Sequence, residues 1–115
     1  MRRILVCAAG LALAAGTAAA HHGWGSYDAS KVIVLEGPIL ESAYEFPHGE
    51  IFMEGQGKKW QVVLAPPSRL TARGVTREDI AVGQRIKVEG YPSTVNENEM
   101  RAERLTIAGR VFEMR

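Results

Sequence analysis

The chain has 115 residues, a formal net charge of +1 and one cysteine. That length fits one small domain and not two. Charge this balanced gives no basic footprint for nucleic acid or anionic lipid, and a lone cysteine excludes an internal disulfide.

Met1-Arg2-Arg3 is a short cationic start, and Ile4 to Ala15 is almost wholly apolar. Gly16-Thr17-Ala18-Ala19-Ala20 supplies the small residues that a signal peptidase reads. This is the build of a secretory signal peptide over residues 1–20. Its apolar run falls short of the roughly 20 residues that span a bilayer, so no stable membrane insertion is expected after processing. Cys7 leaves with the leader, and export to the periplasm is the expected destination. The remainder holds twelve Lys and Arg against thirteen Asp and Glu.

Residues 21–30 then form an N-terminal arm, His21-His22-Gly23-Trp24-Gly25-Ser26-Tyr27-Asp28 followed by Ala29-Ser30. From Lys31 the pattern turns β-like. Lys31 to Tyr44 reads as one long first strand bent at Gly37, because a glycine inside a strand often marks a bulge or bend. Phe46-Pro47-His48-Gly49 is a turn, and Glu50 to Glu54 is the second strand. Gly55-Gln56-Gly57-Lys58 has hairpin composition, and Trp60, Val62 and Leu64 alternate along a third strand from Lys59 to Ala65.

Pro66 to Gly74 reads as a short helix, with proline in its first turn and glycine past its end. Thr76 is placed to cap a further turn through Ile80. A fourth strand follows from Gln84 to Gly90, a polar loop from Tyr91 to Glu99, a fifth strand from Arg101 to Ile107 and a short last one ending at Met114. The expected fold over residues 31–115 is all-β with one short helix, an OB-like barrel of five to six strands. A generic β-sandwich would need more strands.

Two of the three histidines stand at the start of the arm. Cleavage after Ala20 would make His21 the first residue, so that its α-amine and imidazole could chelate one metal. His22, or more readily His48, would add a further nitrogen, and such donors favour Cu(II). The arrangement resembles the histidine brace of some exported copper proteins. Cleavage after Ala19 would instead give Ala20-His21-His22, whose third-position histidine binds Cu(II) or Ni(II) in a square plane. Against this stands the plain reading that adjacent histidines near a flexible end point to opposite faces and do nothing.

His48 sits between Pro47 and Gly49, where a turn can present a side chain, and Asp28, Tyr44 and Glu45 are candidate partners to orient an imidazole. Trp24 and Tyr27 are expected to pin the arm on the barrel, burying rings while their polar atoms find partners. Met53, Met100 and Met114 lack copper-type clustering and read as core filling. Asn96-Glu97-Asn98-Glu99 lacks the spacing of a calcium loop and reads as solvated, and Arg101, Glu103 and Arg104 read as surface charges. No serine lies in a nucleophile motif and no glycine loop suits phosphate, so no catalytic residue is assigned.

Ala20-His21-His22-Gly23-Trp24, Asp28, Pro47-His48, Pro67 with Leu70 and Gly74, and Gly83 together resemble a family of small exported bacterial proteins of unknown function. The resemblance spans nearly the whole chain after the leader. Phe46 stands where that pattern has asparagine, and Val82-Gly83-Gln84 where it has Pro-Gly-Asp. The resemblance implies an exported domain and carries no activity.

The expectation is therefore a periplasmic, non-catalytic metal-binding protein, with copper on His21, His22 and His48. The alternative is a metal-independent module for a small periplasmic ligand or protein partner. A histidine-brace copper oxidase is the third and weakest reading.

Overall fold

The computed structural model describes residues 23–115. His21, His22 and the expected signal peptide lie outside the described residues. The described chain is mostly β with one short helix: β1 (Ile33–Pro38), β2 (Glu41–Ala43), β3 (Glu50–Gly55), β4 (Lys58–Val63), α1 (Pro67–Ala72), β5 (Arg85–Pro92), β6 (Glu99–Ile107) and β7 (Arg110–Glu113). No helix among these residues is long and apolar enough to cross a membrane.

The strands form a strongly curled mixed sheet, a half-barrel, in the order β1-β5-β6-β4-β3-β2, with β7 added to β6. All pairings are antiparallel except β4 with β6, where Val62 faces Met100 and Val63 faces Arg101. The first stretch of β structure does serve both halves of the sheet. Its interruption falls at Ile39–Leu40 rather than at Gly37. There the backbone changes partner, Ile39 N–H donating to the Gln84 carbonyl at 2.9 Å and Leu40 N–H to that of Phe52 at 2.8 Å.

Period-two alternation sets the core. Ile33 and Leu35, Ile51 and Met53, Trp60 and Val62, and Ile86 and Val88 point inward and meet Leu64, Leu70, Val75 and Ile80 from the helical connection. Met53, Met100 and Met114 are all buried here, as core filling requires. The expected helix is shorter by a residue or two at each end, but its punctuation holds. Pro67 opens it, Val75 N–H closes on the Leu70 carbonyl at 2.8 Å, and Gly74 takes the left-handed conformation with φ +90. Thr76 and Asp79 exchange side-chain-to-backbone hydrogen bonds at 3.2 and 2.9 Å, fixing the turn that leads to Ile80.

β6 departs from simple alternation. Met100 and Ala102 face the core at even positions, then Leu105 and Ile107 at odd ones. The parity changes at a bulge: Gly90 pairs with Ala102 while Glu89 pairs with Arg104, leaving Glu103 as the extra residue. Strands β5 and β6 also run further than their composition suggests. Tyr91, Pro92, Glu99 and Met100 are strand residues, and the loop shrinks to Ser93–Asn98.

Candidate functional site

β6 begins with four consecutive buried residues, Glu99, Met100, Arg101 and Ala102. A strand with one face on the core buries only alternate positions, so something covers the other face of Glu99 and Arg101. The cover is the N-terminal arm. Asp28 N–H donates to the Pro92 carbonyl at 2.9 Å, Thr94 N–H donates to that of Ser26 at 2.8 Å, and Tyr27 forms a β-bridge with Ser93. The arm thus lies along the exit of β5 and over the outer face of β6.

Two aromatic side chains complete the attachment. Tyr27 is buried and donates its hydroxyl hydrogen to Glu99, whose other carboxylate oxygen accepts from Asn96 Nδ2 at 2.8 Å. Trp24, in a 3-10 turn spanning Trp24–Ser26, carries the guanidinium groups of Arg101 and Arg115 at 4.4 and 4.0 Å from its ring centroid. It also meets Tyr91 edge-on, with centroids 6.2 Å apart. Arg115 is steadied in turn by Glu103, the bulge residue, at 3.1 Å. The pinning role expected of Trp24 and Tyr27 is what the structure has. The expected surface positions of Glu99 and Arg101 are corrected: only 8% and 7% of these residues are exposed, because the arm covers them.

Burial and the bond to Glu99 hold the Tyr27 phenol above its ordinary value of 10.0. Burial, reinforced by the like charges of Arg69 and Arg115, lowers the guanidinium of Arg101 below its ordinary value. A phenol with a raised folded-state pKa contributes stability that is complete below about pH 10 and fades above it, since the unfolded chain releases its proton first. Tyr27→Phe should therefore cost about 1–3 kcal/mol at pH 7, the scale for stripping a partner from a buried polar group. Urea unfolding at a series of pH values should show the gap to wild type closing above about pH 10. A gap that is absent, or constant through that range, contradicts the role given to this bond.

His48 follows Pro47, whose peptide bond to Phe46 is cis, and is half-buried. The ladder continues past the start of β3, with Gly49 N–H on the Ala65 carbonyl and Leu64 N–H on that of Gly49, both at 2.9 Å. Alternation therefore puts His48 on the face of Glu50, which is opposite Val63, which is opposite Arg101. This is the face that the arm occupies. His48 Nδ1 lies 2.9 Å from the Gly49 carbonyl oxygen, an atom that can only accept. The proton is therefore on Nδ1, and a neutral ring carries its lone pair on Nε2.

Of the other expected partners, Tyr44 bonds the Val75 carbonyl at 2.7 Å and Asp28 closes a local turn on Ser30 at 3.0 Å. Neither of these bonds orients an imidazole. Among the described residues, no three His, Cys, Asp or Glu side chains gather closely enough to hold a metal ion. The described part of the expected ligand set is His48 alone, since His21 and His22 fall outside those residues.

No curated protein matches the chain. The resemblance carried by the histidine, aromatic and Pro-His positions is met at the level of a family without an assigned activity. The chain belongs to a family of unknown function, DUF6152, whose sequence model matches residues 8–102.

Proposed function

We propose that this is an exported periplasmic protein that loses residues 1–20 and binds Cu(II), without catalysis, through His21, His22 and His48 on an OB-like barrel. The observation that carries the reading is the bond from His48 Nδ1 to the Gly49 carbonyl. A backbone carbonyl on one ring nitrogen is the usual support of a metal-ligating histidine, fixing the tautomer and presenting the other nitrogen.

The anchored arm supports the same reading. Chain length confines His22 Cα to about 7 Å and His21 Cα to about 10 Å from Trp24 Cα. Two strand spacings, from Arg101 across Val63 to Glu50, make about 10 Å, with His48 two residues further on. His48 is thus about 12 Å from Arg101 across the sheet surface, a span of the same order as that reach. The OB-like assignment is supported by the two halves of the first strand standing at opposite ends of the sheet and by the parallel pairing of β4 with β6.

The test is Cu(II) affinity, by competition with a chromophoric chelator, of protein purified after export so that the host sets its N-terminus. His48→Ala should weaken binding at least about tenfold, a loss already seen when only the support of a ligand is removed. Affinity unchanged in both His48→Ala and His21→Ala overturns the metal reading.

A second reading, a metal-independent binding module, is favoured by one observation. Arg101 and Arg115 both lie against the Trp24 ring, and Arg69 is close enough to act on Arg101 electrostatically. Arg69 and Arg115 are the exposed members and suit an anionic partner, while Arg101 lies under the arm. Ligand binding that survives complete metal chelation would favour this reading.

A further inference from the structure

We infer that Arg69, Arg73 and Arg115, between α1 and the residues that follow β7, form a receptor for an oxyanion group, the phosphate or paired carboxylates of a small ligand. This rests on the second reading, the metal-independent module, and gives it a site and a ligand class.

The fold brings these arginines together. β4 leads into α1 only four residues after Val63, the residue opposite Arg101 on β6. On α1, Arg73 N–H closes on the Arg69 carbonyl at 2.9 Å, so the two side chains stand one helical turn apart on one face. The Arg73 side chain donates to the Arg115 carbonyl, which sets that face against Arg115. The guanidinium carbons of Arg101 and Arg115 lie 4.4 and 4.0 Å from one ring centroid, that of Trp24, so no more than the sum of those distances separates them. Arg101 is buried beneath the arm and acts as a fixed positive charge, whereas Arg69, Arg73 and Arg115 are exposed and can reach a ligand.

Gathering like charges opposes the compact state unless something offsets them. Among the described residues, the ion pair within the group joins Arg115 Nε to Glu103 at 3.1 Å. The Arg69 guanidinium has neither an ion pair nor a hydrogen bond among those residues. Burial lowers the guanidinium pKa of Arg101, and repulsion from Arg69 and Arg115 adds to that. Glu103 engages Arg115 through Nε, and the two Nη groups make the end on which a pair of oxygens can sit. A guanidinium fork matches coplanar oxygens as an ammonium does not, and each cation in this group is an arginine. An oxyanion seated between Arg69 and Arg115 supplies the missing negative charge.

The experiment titrates sodium phosphate into exported protein freed of metal by chelation, with sodium chloride holding the ionic strength constant. NMR follows the backbone amides and arginine Nε–H signals, and thermal unfolding is read in parallel. Glutarate, a dicarboxylate, is the second probe and separates a carboxylate ligand from a phosphate one. Wild type should bind at least one probe saturably, with the largest shifts at Arg69, Arg73 and Arg115 and a raised midpoint. Arg69→Gln should weaken binding about tenfold or more, the equivalent of one charge-assisted hydrogen bond. Its unliganded midpoint should stay level or rise, because a like charge has gone, whereas a merely structural arginine would lower it. Arg85→Gln, on β5 and outside the group, should bind as wild type does. Shifts that chloride alone reproduces are screening and overturn the site. Saturable binding that survives Arg69→Gln also overturns it, but leaves a metal-independent module with its ligand elsewhere. Wild type that binds neither probe overturns the site and removes the observation that favours the second reading. Binding that appears only when Cu(II) is restored overturns that reading itself.

Discussion

Replacing Gly90 by alanine is expected to destabilise the protein by about 3 kcal/mol or more, the upper range for forcing atoms into a packed interior. A Cβ on Gly90 would fall on the carbonyl oxygen of Arg101 and stand 2.9 Å from Ala102 Cα. Both obstacles are backbone, so no rotamer change relieves them. The close approach exists because β5 and β6 meet at the bulge, where Glu103 is the additional residue. That bulge lets Met100 and Ala102 in one half of β6, and Leu105 and Ile107 in the other, all face the core. It also frees Glu103 to hold Arg115, so the fold defect and the loosening of Trp24 have one origin. Thermal unfolding should show the midpoint lowered by roughly 10–20 °C. A variant within about 2 °C of wild type would mean that the strands separate freely here.

Leu70→Ala should be nearly as costly, about 2–5 kcal/mol by the cavity scale for buried leucines. Leu70 is the buried residue of α1, and its Cδ1 would lie 2.8 Å from a Cβ placed on Gly49. The side chain therefore presses the helix onto the residue after His48. The carbonyl that fixes the His48 tautomer belongs to that same Gly49. Urea unfolding should give a lower midpoint with an unchanged slope, because the loss is of packing and not of compactness. The copper reading adds a consequence: Leu70→Ala should also loosen Cu(II), whereas Leu105→Ala, on β6 among other core residues, should lower stability without that effect. Equal copper affinity in the two variants would separate Leu70 from the site.

Much of the sheet can be read from local pattern. β3 and β4 follow directly from Ile51 and Met53, and from Trp60 and Val62, around a Gln56–Gly57 turn. α1 follows from Pro67 and Gly74, which act through the backbone wherever they stand. The departures have tertiary causes. Tyr91, Pro92 and Glu99 read as loop because they are polar or lack an N–H, yet Tyr91 and Pro92 pair with Arg101 and Met100, and Glu99 with Gln61, and these ladders extend the strands. The bulge leaves no composition mark beyond Gly90, since Glu103 resembles any charged strand residue. Glu99 and Arg101 are buried by a segment some seventy residues away in the chain, as the separation of 72 between Tyr27 and Glu99 illustrates. An alternation rule sees only their polarity. The usable signal lies in the arm itself: Trp24 and Tyr27 each carry a polar atom and a large ring, which implies partners on whatever surface they cover.

Of the candidate site, the described residues hold His48. Its place beside a turn is readable from Pro47 and Gly49, but its tautomer is not, because that depends on where the Gly49 carbonyl points. The ion pair of Lys59 with Glu41 is exposed and contributes little.

The most direct measurement is the Cu(II) EPR spectrum of the exported wild type at one equivalent, set beside that of His48→Ala. A site shared between the terminus and the barrel gives a signal with three nitrogen ligands that changes when His48 is removed. A four-nitrogen square-planar signal indifferent to His48 would contradict it, leaving a terminal chelate that owes nothing to the barrel.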